Sequence, residues 1–449
     1  MKIPQSPPEV DTLGEGFKQE FNSLLSTCAV EDDRSRELRE LVRRYNEQQY
    51  LHWDDLRRRH PLPASPEAVW MLLRFLREGK SRILRLDNET FRFVVIEKFL
   101  KELHVIDKSS PATVDLWGSR SLSESARHQY LANSLMEEAI ASSRLEGAAT
   151  TRDLAKRFLR EGKRPKTHAE RMILNNYLTI THLKSIRNEP LTSALIIQIH
   201  QEITQRTLDT VEDEWRYRTS NDILVKDKVD ATRVYHYPPD FEKVPGMIED
   251  LCDFANRDDE FIHPIIKAII LHFLIGYIHP FNDGNGRTAR ALFYWYVLKH
   301  NYDLFEYLSI SNVFLRAPAR YTRAFLYSET DRNDMTYFID FNLTIIGEAL
   351  DRLKAYIVKK QQEERDSLRI VETLPGLSFR QAEILKDFIK YPYRPFTVRE
   401  IAGKFRVSVP TARHDLEILT QQGRVRQIEE GTRRLYLLRE GTSMDEEQY

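Results

Sequence analysis

The stretch YIHPFNDGNGRTAR, from Tyr277 to Arg290, packs one histidine, one aspartate, two asparagines, two glycines and two arginines into a single turn. Helical patterns stand on both sides of it. Before it, HPIIKAIILHFLIGYI has the length and apolar content of a buried helix, with Pro264 near its start. After it, GRTARALFYWYVLKH starts a second helix with apolar positions at Ala291, Leu292, Tyr294, Trp295 and Leu298. The turn therefore delivers Gly284, Asn285 and Gly286 to a helix N-terminus, where free backbone N–H groups and the positive end of the dipole attract anions. Glycines let a phosphate approach the backbone closely. Arg287 and Arg290 lie three apart on one helix face, so both guanidinium groups can address the same polyphosphate. Asp283 is a hard oxygen ligand placed for Mg²⁺ between phosphates. His279 can serve as a base near neutral pH, its orientation fixed by Pro280 and by an inward-packing Phe281. A plain helix corner accounts for Asp283, Gly284 and Asn285 as turn and cap residues. It leaves the histidine and the two arginines unexplained.

The rest of the chain sets the bounds. Its 449 residues exceed what one core usually serves, so two or three domains are expected. With 41% apolar and 30% charged residues and a formal charge of −1, whole-chain charge gives no sign of a nucleic-acid or membrane partner. Two distant cysteines, Cys28 and Cys252, form neither a disulfide framework nor a metal spacing. The start, MKIPQSPPEV, has no apolar core of signal-peptide type, and no apolar run approaches the roughly 20 residues needed to span a bilayer. The expected location is cytoplasmic, with no membrane partner.

Residues 1–105 read as a helical domain. Within it Ser65 is an N-cap candidate, Pro66 suits the first turn, and Val69, Leu72, Leu73 and Leu76 recur at helical spacing. Its helices offer a surface for a homodimer. Residues 106–365 stay mainly helical, except that WRYRTSNDILVKDKVDATRVYHYPPDF (215–241) has short β-prone runs around polar turn residues and reads as a hairpin. A distinct module spans 370–440.

HPFNDGNGRTAR resembles the signature of the Fic family, H-P-F-x-D/E-G-N-G-R-x-x-R, with every specified position present. The likeness extends over about residues 106–365. It implies transfer of AMP from ATP to a Ser, Thr or Tyr hydroxyl of a target protein, with release of pyrophosphate. On this resemblance His279 is the base, Asp283 holds Mg²⁺, and Phe281, Asn282, Asp283, Gly284, Asn285, Gly286, Arg287 and Arg290 bind the nucleotide. The family's phosphorylating branch tends to have lysine where Gly286 stands, so the sequence sides with nucleotidyl transfer. Upstream, EEAIASSRLEG is similar to the family's inhibitory helix, here about 134–147, with Ser142, Glu146 and Gly147 at the motif positions. That likeness implies that Glu146 pairs with Arg290 and obstructs the γ-phosphate, an autoinhibition in cis. The hairpin is similar to the family's target-docking flap, carried by Arg233, Val234, Tyr235 and His236. RYTRAF resembles the stretch that supplies an adenine contact, which would be Tyr321.

The C-terminal module resembles a winged helix-turn-helix. VREIAGKF is one helix, a turn falls at Arg406-Val407, and SVPTARHDLEILTQQG is the recognition helix, with Ser408 as N-cap and Glu430-Gly431 at the wing tip. Residues 378–438 carry five more basic than acidic side chains. Ser408, Thr411 and Arg413 are the candidate DNA contacts. The fold expected is mainly α: a Fic-type helical core with a β-hairpin flap, an N-terminal helical domain and a C-terminal winged helix of α+β type. Two other functions remain open, a DNA-binding regulator with the core as nucleotide sensor and removal of AMP at the same site with Glu146 orienting a water.

Overall fold

Helical periodicity governs most of this chain, and the computed structural model is mainly helical, with small antiparallel sheets only among the described residues. The structure describes residues 2–9, 14–29, 32–109, 124–160, 162–227, 230, 232–373, 376–391, 394–430 and 433–439. The chain divides into two compact units, residues 1–110 with 134–350, and residues 111–133 with 351–449.

The first unit begins with α1 (Glu15–Ala29), α2 (Asp33–Arg43), α3 (Trp53–Leu56) and α4 (Pro66–Glu78). The Ser65 hydroxyl caps α4 by accepting from the Ala68 N–H, and Pro66 occupies the first turn. Val69, Leu72 and Leu73 are fully buried with Trp53 and Trp70 nearby in one core cluster. A hairpin then departs from the helical reading of this region: β1 (Arg82–Leu86) pairs with β2 (Glu89–Phe93). Asp87 takes φ 50°, as a two-residue hairpin turn requires. Each strand has five residues, too short for its alternation to outweigh the helices beside it.

The centre of this unit is helical. After α5 (Glu97–Lys108) come α6 (Glu124–Leu145), which belongs to this unit from residue 134 onward, α7 (Arg152–Arg160), α8 (His168–Leu183) and α9 (Ser193–Thr204). Two two- and three-residue strands, β3 (Val225–Lys226) and β4 (Val234–His236), pair antiparallel across a bulge. There follow α10 (Val244–Asn256), α11 (Pro264–Ile278), α12 (Asn285–Lys299), α13 (Ile310–Arg316), α14 (Pro318–Thr330) and α15 (Thr336–Thr373), the last belonging to this unit as far as Leu350. α11 is buried on nearly every side, including Ile269, Leu271, Phe273 and Leu274, which explains its apolar composition all round. It packs on α12, and α8 and α9 also pack on α12. Among the described residues no helix is long and apolar enough to cross a membrane.

The second unit contains α16 (Phe379–Lys390), β5 (Phe396–Thr397), α17 (Val398–Phe405), α18 (Val409–Gln421), β6 (Val425–Glu430) and β7 (Arg433–Leu438). The strand order is β5-β7-β6, all antiparallel. Arg406 ends α17 in the left-handed region at φ 53°, where the sequence placed its turn. Ile384, Phe388, Ile401, Leu416, Leu419 and Tyr436 share one core. Gly431, at the expected wing tip, lies outside the described residues.

A buried polar cluster ties α4 to the junction of α14 and α15. Arg77 donates to Asn46 Oδ1 at 2.7 Å, to the Tyr337 hydroxyl at 3.0 Å and to the Leu51 carbonyl at 2.9 Å. Tyr50 donates to Asp334 at 2.7 Å and Tyr337 to Asp331 at 2.8 Å. Burial, with Asp334 beside it, pushes the Asp331 carboxyl up. Arg77→Leu strands two buried carboxyl groups without their cation. It should lower the free energy of unfolding by about 3–5 kcal/mol in a urea titration, and a loss below ~1 kcal/mol would contradict this account.

Candidate active site

The turn quoted at the outset is where α11 hands the chain to α12. His279 is the C-cap of α11, with φ 49° and ψ 57°, and its N–H donates to the Ile275 carbonyl at 3.0 Å. Its Nδ1 lies 3.2 Å from the Gly276 carbonyl. A carbonyl only accepts, so Nδ1 carries the hydrogen and Nε2 presents its lone pair. Burial lowers the imidazole pKa to about 4, against the opposing pull of the Gly276 carbonyl. The group is a neutral base at physiological pH.

The next residues are fixed by main-chain contacts. Phe281 is fully buried and stacks on His200 with ring centroids 3.6 Å apart. Asn285 brackets the Phe281 peptide, accepting from its N–H at 2.9 Å and donating to its carbonyl at 2.7 Å. Its side chain is thereby committed to the turn, and its backbone faces the helix start. Asn282 donates to Asp213 at 2.7 Å. Gly284 sits at φ 82°, and a Cβ there would lie 2.6 Å from Thr204 Cγ2, so both conformation and space demand glycine.

At the start of α12 no side chain caps the helix from Gly284. Over Gly286 stands the carboxylate of Glu146: a Cβ on this glycine would come within 2.8 Å of Glu146 Cδ. The same carboxylate accepts from Arg290 Nη2 at 2.7 Å. Arg290 also donates through Nε to the Ser142 hydroxyl at 2.8 Å and through Nη2 to the Ser142 carbonyl at 3.0 Å. Ser142 and Arg290 are buried, while the Glu146 side chain is 27% exposed. Arg287 is fully buried and donates to the Ile203 carbonyl and to Asp283 Oδ2, each at 3.3 Å. The charge of Glu146 acts on His279, Arg287, Arg290 and Tyr321 alike. An anion thus already occupies the nest that the sequence builds.

Asp283 is the exposed member of the turn, with its side chain 58% accessible. Its Oδ2 meets Arg287, and among the described residues Oδ1 has no hydrogen bond. One open carboxylate beside an anion nest suits Mg²⁺, which is usually held by one or two carboxylates plus phosphates. Among the described residues no group of three or more metal-binding side chains exists.

Tyr321, on α14, shares a hydrogen bond of 2.8 Å with His272 Nε2 and stacks on Phe314 at 4.6 Å. Burial pushes its phenol up to about 12. The flap residues divide their work. His236 Nε2 donates to the Tyr277 carbonyl at 2.7 Å and Nδ1 meets Glu329 at 2.8 Å, so this residue pins β4 to the end of α11. Tyr235 donates to Asp227, Arg233 faces Asp227 and Asp230, and Val234 is half-buried.

Three contributors carried no signal in the sequence. His200 reaches the Asp283 carbonyl at 2.9 Å and the Glu214 carbonyl at 3.1 Å, Arg218 reaches the His279 carbonyl at 3.0 Å, and Glu138 is buried against Ser309 and Ser311. Each looks like an ordinary residue of its own segment until a partner distant in sequence is placed beside it.

Residues 190–297 match the Fic/DOC family. The matched span holds the turn, the flap, His200 and Arg218; Glu146 and Tyr321 lie outside it. Relatives named protein adenylyltransferase include Fic of Nematostella vectensis, 28% identical over 234 residues, which cover 47% of this chain and 52% of the relative. Another is fic-1 of Caenorhabditis elegans, 34% identical over 106 residues, covering 23% of this chain and 20% of the relative. The chain thus spans about half the length of the first relative and a fifth of the second. Among solved structures, residues 134–508 of Fic-1 from C. elegans align with a TM-score of 0.49 and 16% identity, over 77% of this chain and 97% of that one.

The depressed pKa has a direct readout. The His279 ring resonances of the nucleotide-free protein should titrate with a midpoint near 4 in an NMR pH series. A midpoint near the ordinary imidazole value of about 6.5 would show that the ring is solvated.

Proposed function

We propose that this protein transfers AMP from ATP to a Ser, Thr or Tyr hydroxyl of a target protein, and that Glu146 holds the reaction in check. One observation carries the reading: the Glu146 carboxylate stands over Gly286 at an uncapped helix N-terminus, paired with Arg290 at 2.7 Å. Arg287, Arg290 and the first N–H groups of α12 around it all favour negative charge. A polyphosphate would replace that carboxylate, its inner phosphates on the Gly284 to Gly286 backbone and its outer ones at Arg287 and Arg290.

The chemistry follows from the neutral base. His279 Nε2 takes the proton of the target hydroxyl as the oxygen bonds to the α-phosphorus, and the bond from that phosphorus to the pyrophosphate oxygen breaks. The proton stays on the imidazole and pyrophosphate leaves. Little covalent work falls to the protein, so orientation and charge neutralisation dominate. Asp283 would hold Mg²⁺, which when bound neutralises charge on the phosphate oxygens. Tyr321, stacked in an aromatic wall beside Arg290, is the residue we assign to the adenine side. The target segment would lie along β4 and add as a strand, with His236 keeping that edge against α11.

With Arg290 committed to Glu146 and Ser142, ATP has neither its γ-phosphate partner nor free space over Gly286. Inhibition is therefore electrostatic and steric together, and it acts within one chain.

The C-terminal unit we read as a winged helix-turn-helix that contacts DNA through α18. Its support is the helix–strand–helix–helix–strand–strand order and the exposure of Arg413. The Ser408 hydroxyl is already engaged as the cap, 3.3 Å from the Thr411 N–H and 2.8 Å from the Thr411 hydroxyl. Arg413 therefore carries most of the expected contact.

Glu146→Gly should raise incorporation of label from α-labelled ATP into the protein or a lysate by at least about tenfold, some 1.4 kcal/mol. Adding His279→Ala should remove about 10²-fold or more of that gain. Label arriving from γ-labelled ATP instead would replace AMP transfer by phosphoryl transfer. In a gel-shift at about 50 mM salt, the full chain should retard duplex DNA and Arg413→Ala should weaken the band. No retarded species at that salt would remove the DNA assignment.

A further inference from the structure

We propose that Arg218 is a positioning residue that sets the base and the flap in one register, because its guanidinium grips the carbonyl of His279 and that of Pro239 at the same time. The inference rests on the AMP-transfer reading of this site.

Arg218 is 3% exposed. Its Nε donates to the His279 carbonyl at 3.0 Å, and Nη2 donates to the Pro239 carbonyl. Nη1 reaches the Ser220 carbonyl at 3.0 Å and Asn221 Oδ1 at 3.1 Å. Its backbone N–H donates to the Pro280 carbonyl at 2.8 Å. Asn221 in turn accepts from the Phe241 N–H at 2.9 Å, which closes the base of the flap on the same guanidinium. Every one of these hydrogen bonds goes to a neutral oxygen; Asp240 acts on the cation only through space.

Two physical costs meet at this residue. A guanidinium buried among neutral oxygens loses hydration without gaining an ion pair. His279 sits in the left-handed region, which a residue with a Cβ keeps only where its surroundings over-determine it. Arg218 is that surrounding: it holds two consecutive carbonyls, His279 by the side chain and Pro280 by the main chain. Rotation of the His279–Pro280 peptide would break the side-chain bond, and the main-chain bond holds the peptide that follows. With that peptide fixed, the ring keeps its Nδ1–H on the Gly276 carbonyl, and the Nε2 lone pair keeps its aim. The grip on Pro239 places the end of β4 relative to the same peptide, so the hydroxyl that a target presents along the strand meets the base at a fixed offset. The positive charge also opposes protonation of the ring.

The experiment uses the full chain carrying Glu146→Gly, with Arg218→Met and Arg218→Lys added separately. Self-incorporation of label from α-labelled ATP gives the saturated rate and the half-saturating ATP concentration. NMR of the nucleotide-free protein gives the His279 midpoint, and hydrogen exchange follows the β3 and β4 amides. For Arg218→Met the saturated rate should fall about 10²-fold, with half-saturating ATP within about twofold, since Arg218 touches no phosphate site. The His279 midpoint should rise and the flap amides should exchange faster. Arg218→Lys should keep the midpoint, because the charge stays, and recover part of the rate. A well-folded Arg218→Met protein with a saturated rate within about twofold of its parent would overturn the proposal. So would an unmoved His279 midpoint with a rate loss that merely tracks the loss of folded protein. If Glu146→Gly alone transfers no label, it is the AMP-transfer reading that fails, and the His279 midpoint in Arg218→Met still decides the role of Arg218.

Discussion

A carboxylate resting on a helix N-terminus organises this molecule. α12 begins at Gly284 without a side-chain cap, so its first N–H groups and the dipole end stay positive. Two guanidinium groups, Arg287 and Arg290, are buried in the same first turns. So much positive character away from water is unstable unless an anion answers it, and removing one partner of a buried pair typically costs about 3–5 kcal/mol. Glu146 is the answer available within the chain. Glycine at 286 is the complementary necessity, because any Cβ would fall on that carboxylate. The carboxylate thus balances the positive end of α12 from within the chain.

How Glu146 could yield is constrained by what holds α6. Glu138 is buried and accepts from the Ser311 N–H at 2.9 Å and the Ser309 hydroxyl at 3.2 Å, and burial pushes its carboxyl up. Glu137 meets Arg152, Lys156 at 2.8 Å and Asn312 at 3.3 Å. Asn176 donates to the Ala139 carbonyl at 3.2 Å. Lifting the whole helix would break all of these together. Glu146, however, stands one residue beyond the end of α6, and Gly147 follows it at φ 101°. Both glutamate contacts therefore lie within α6, upstream of the residue that meets Arg290.

The sequence made the centre of this site legible and its supports illegible, for one reason. His279, Asp283, Gly284, Gly286, Arg287 and Arg290 are neighbours along the chain, and helix geometry alone brings them to one end of α12. Ser65 as a cap, Arg406 as a turn and Ser408 as a cap are equally local. By contrast, Arg218 meets His279 across 61 residues, His200 meets Asp283 across 83, and Glu138 meets Ser311 across 173. No periodicity encodes such encounters. Glu146 and Arg290 are 144 residues apart, and only the likeness of a whole motif connects them in advance. The hairpin of β1 and β2 is a different case, since its signal is local but spread over two five-residue strands between long helices.

Burial of the base also makes sense of the charge exchange that catalysis would demand. The Glu146 carboxylate raises the affinity of His279 for a proton, yet the pKa still lies near 4 because desolvation outweighs it. On the proposed reading, a triphosphate would bring more negative charge to the same nest than the carboxylate it displaces, and would raise the value further. An imidazole that started from the usual value of about 6.5 would be driven to the protonated form at neutral pH and could no longer accept the hydroxyl proton. On that reading, starting from the low side, His279 would absorb the field of the phosphates and remain a base. The low starting point comes from burial of the ring, which outweighs the opposing pull of the Gly276 carbonyl, with the positive charge of Arg218 acting in the same direction as burial.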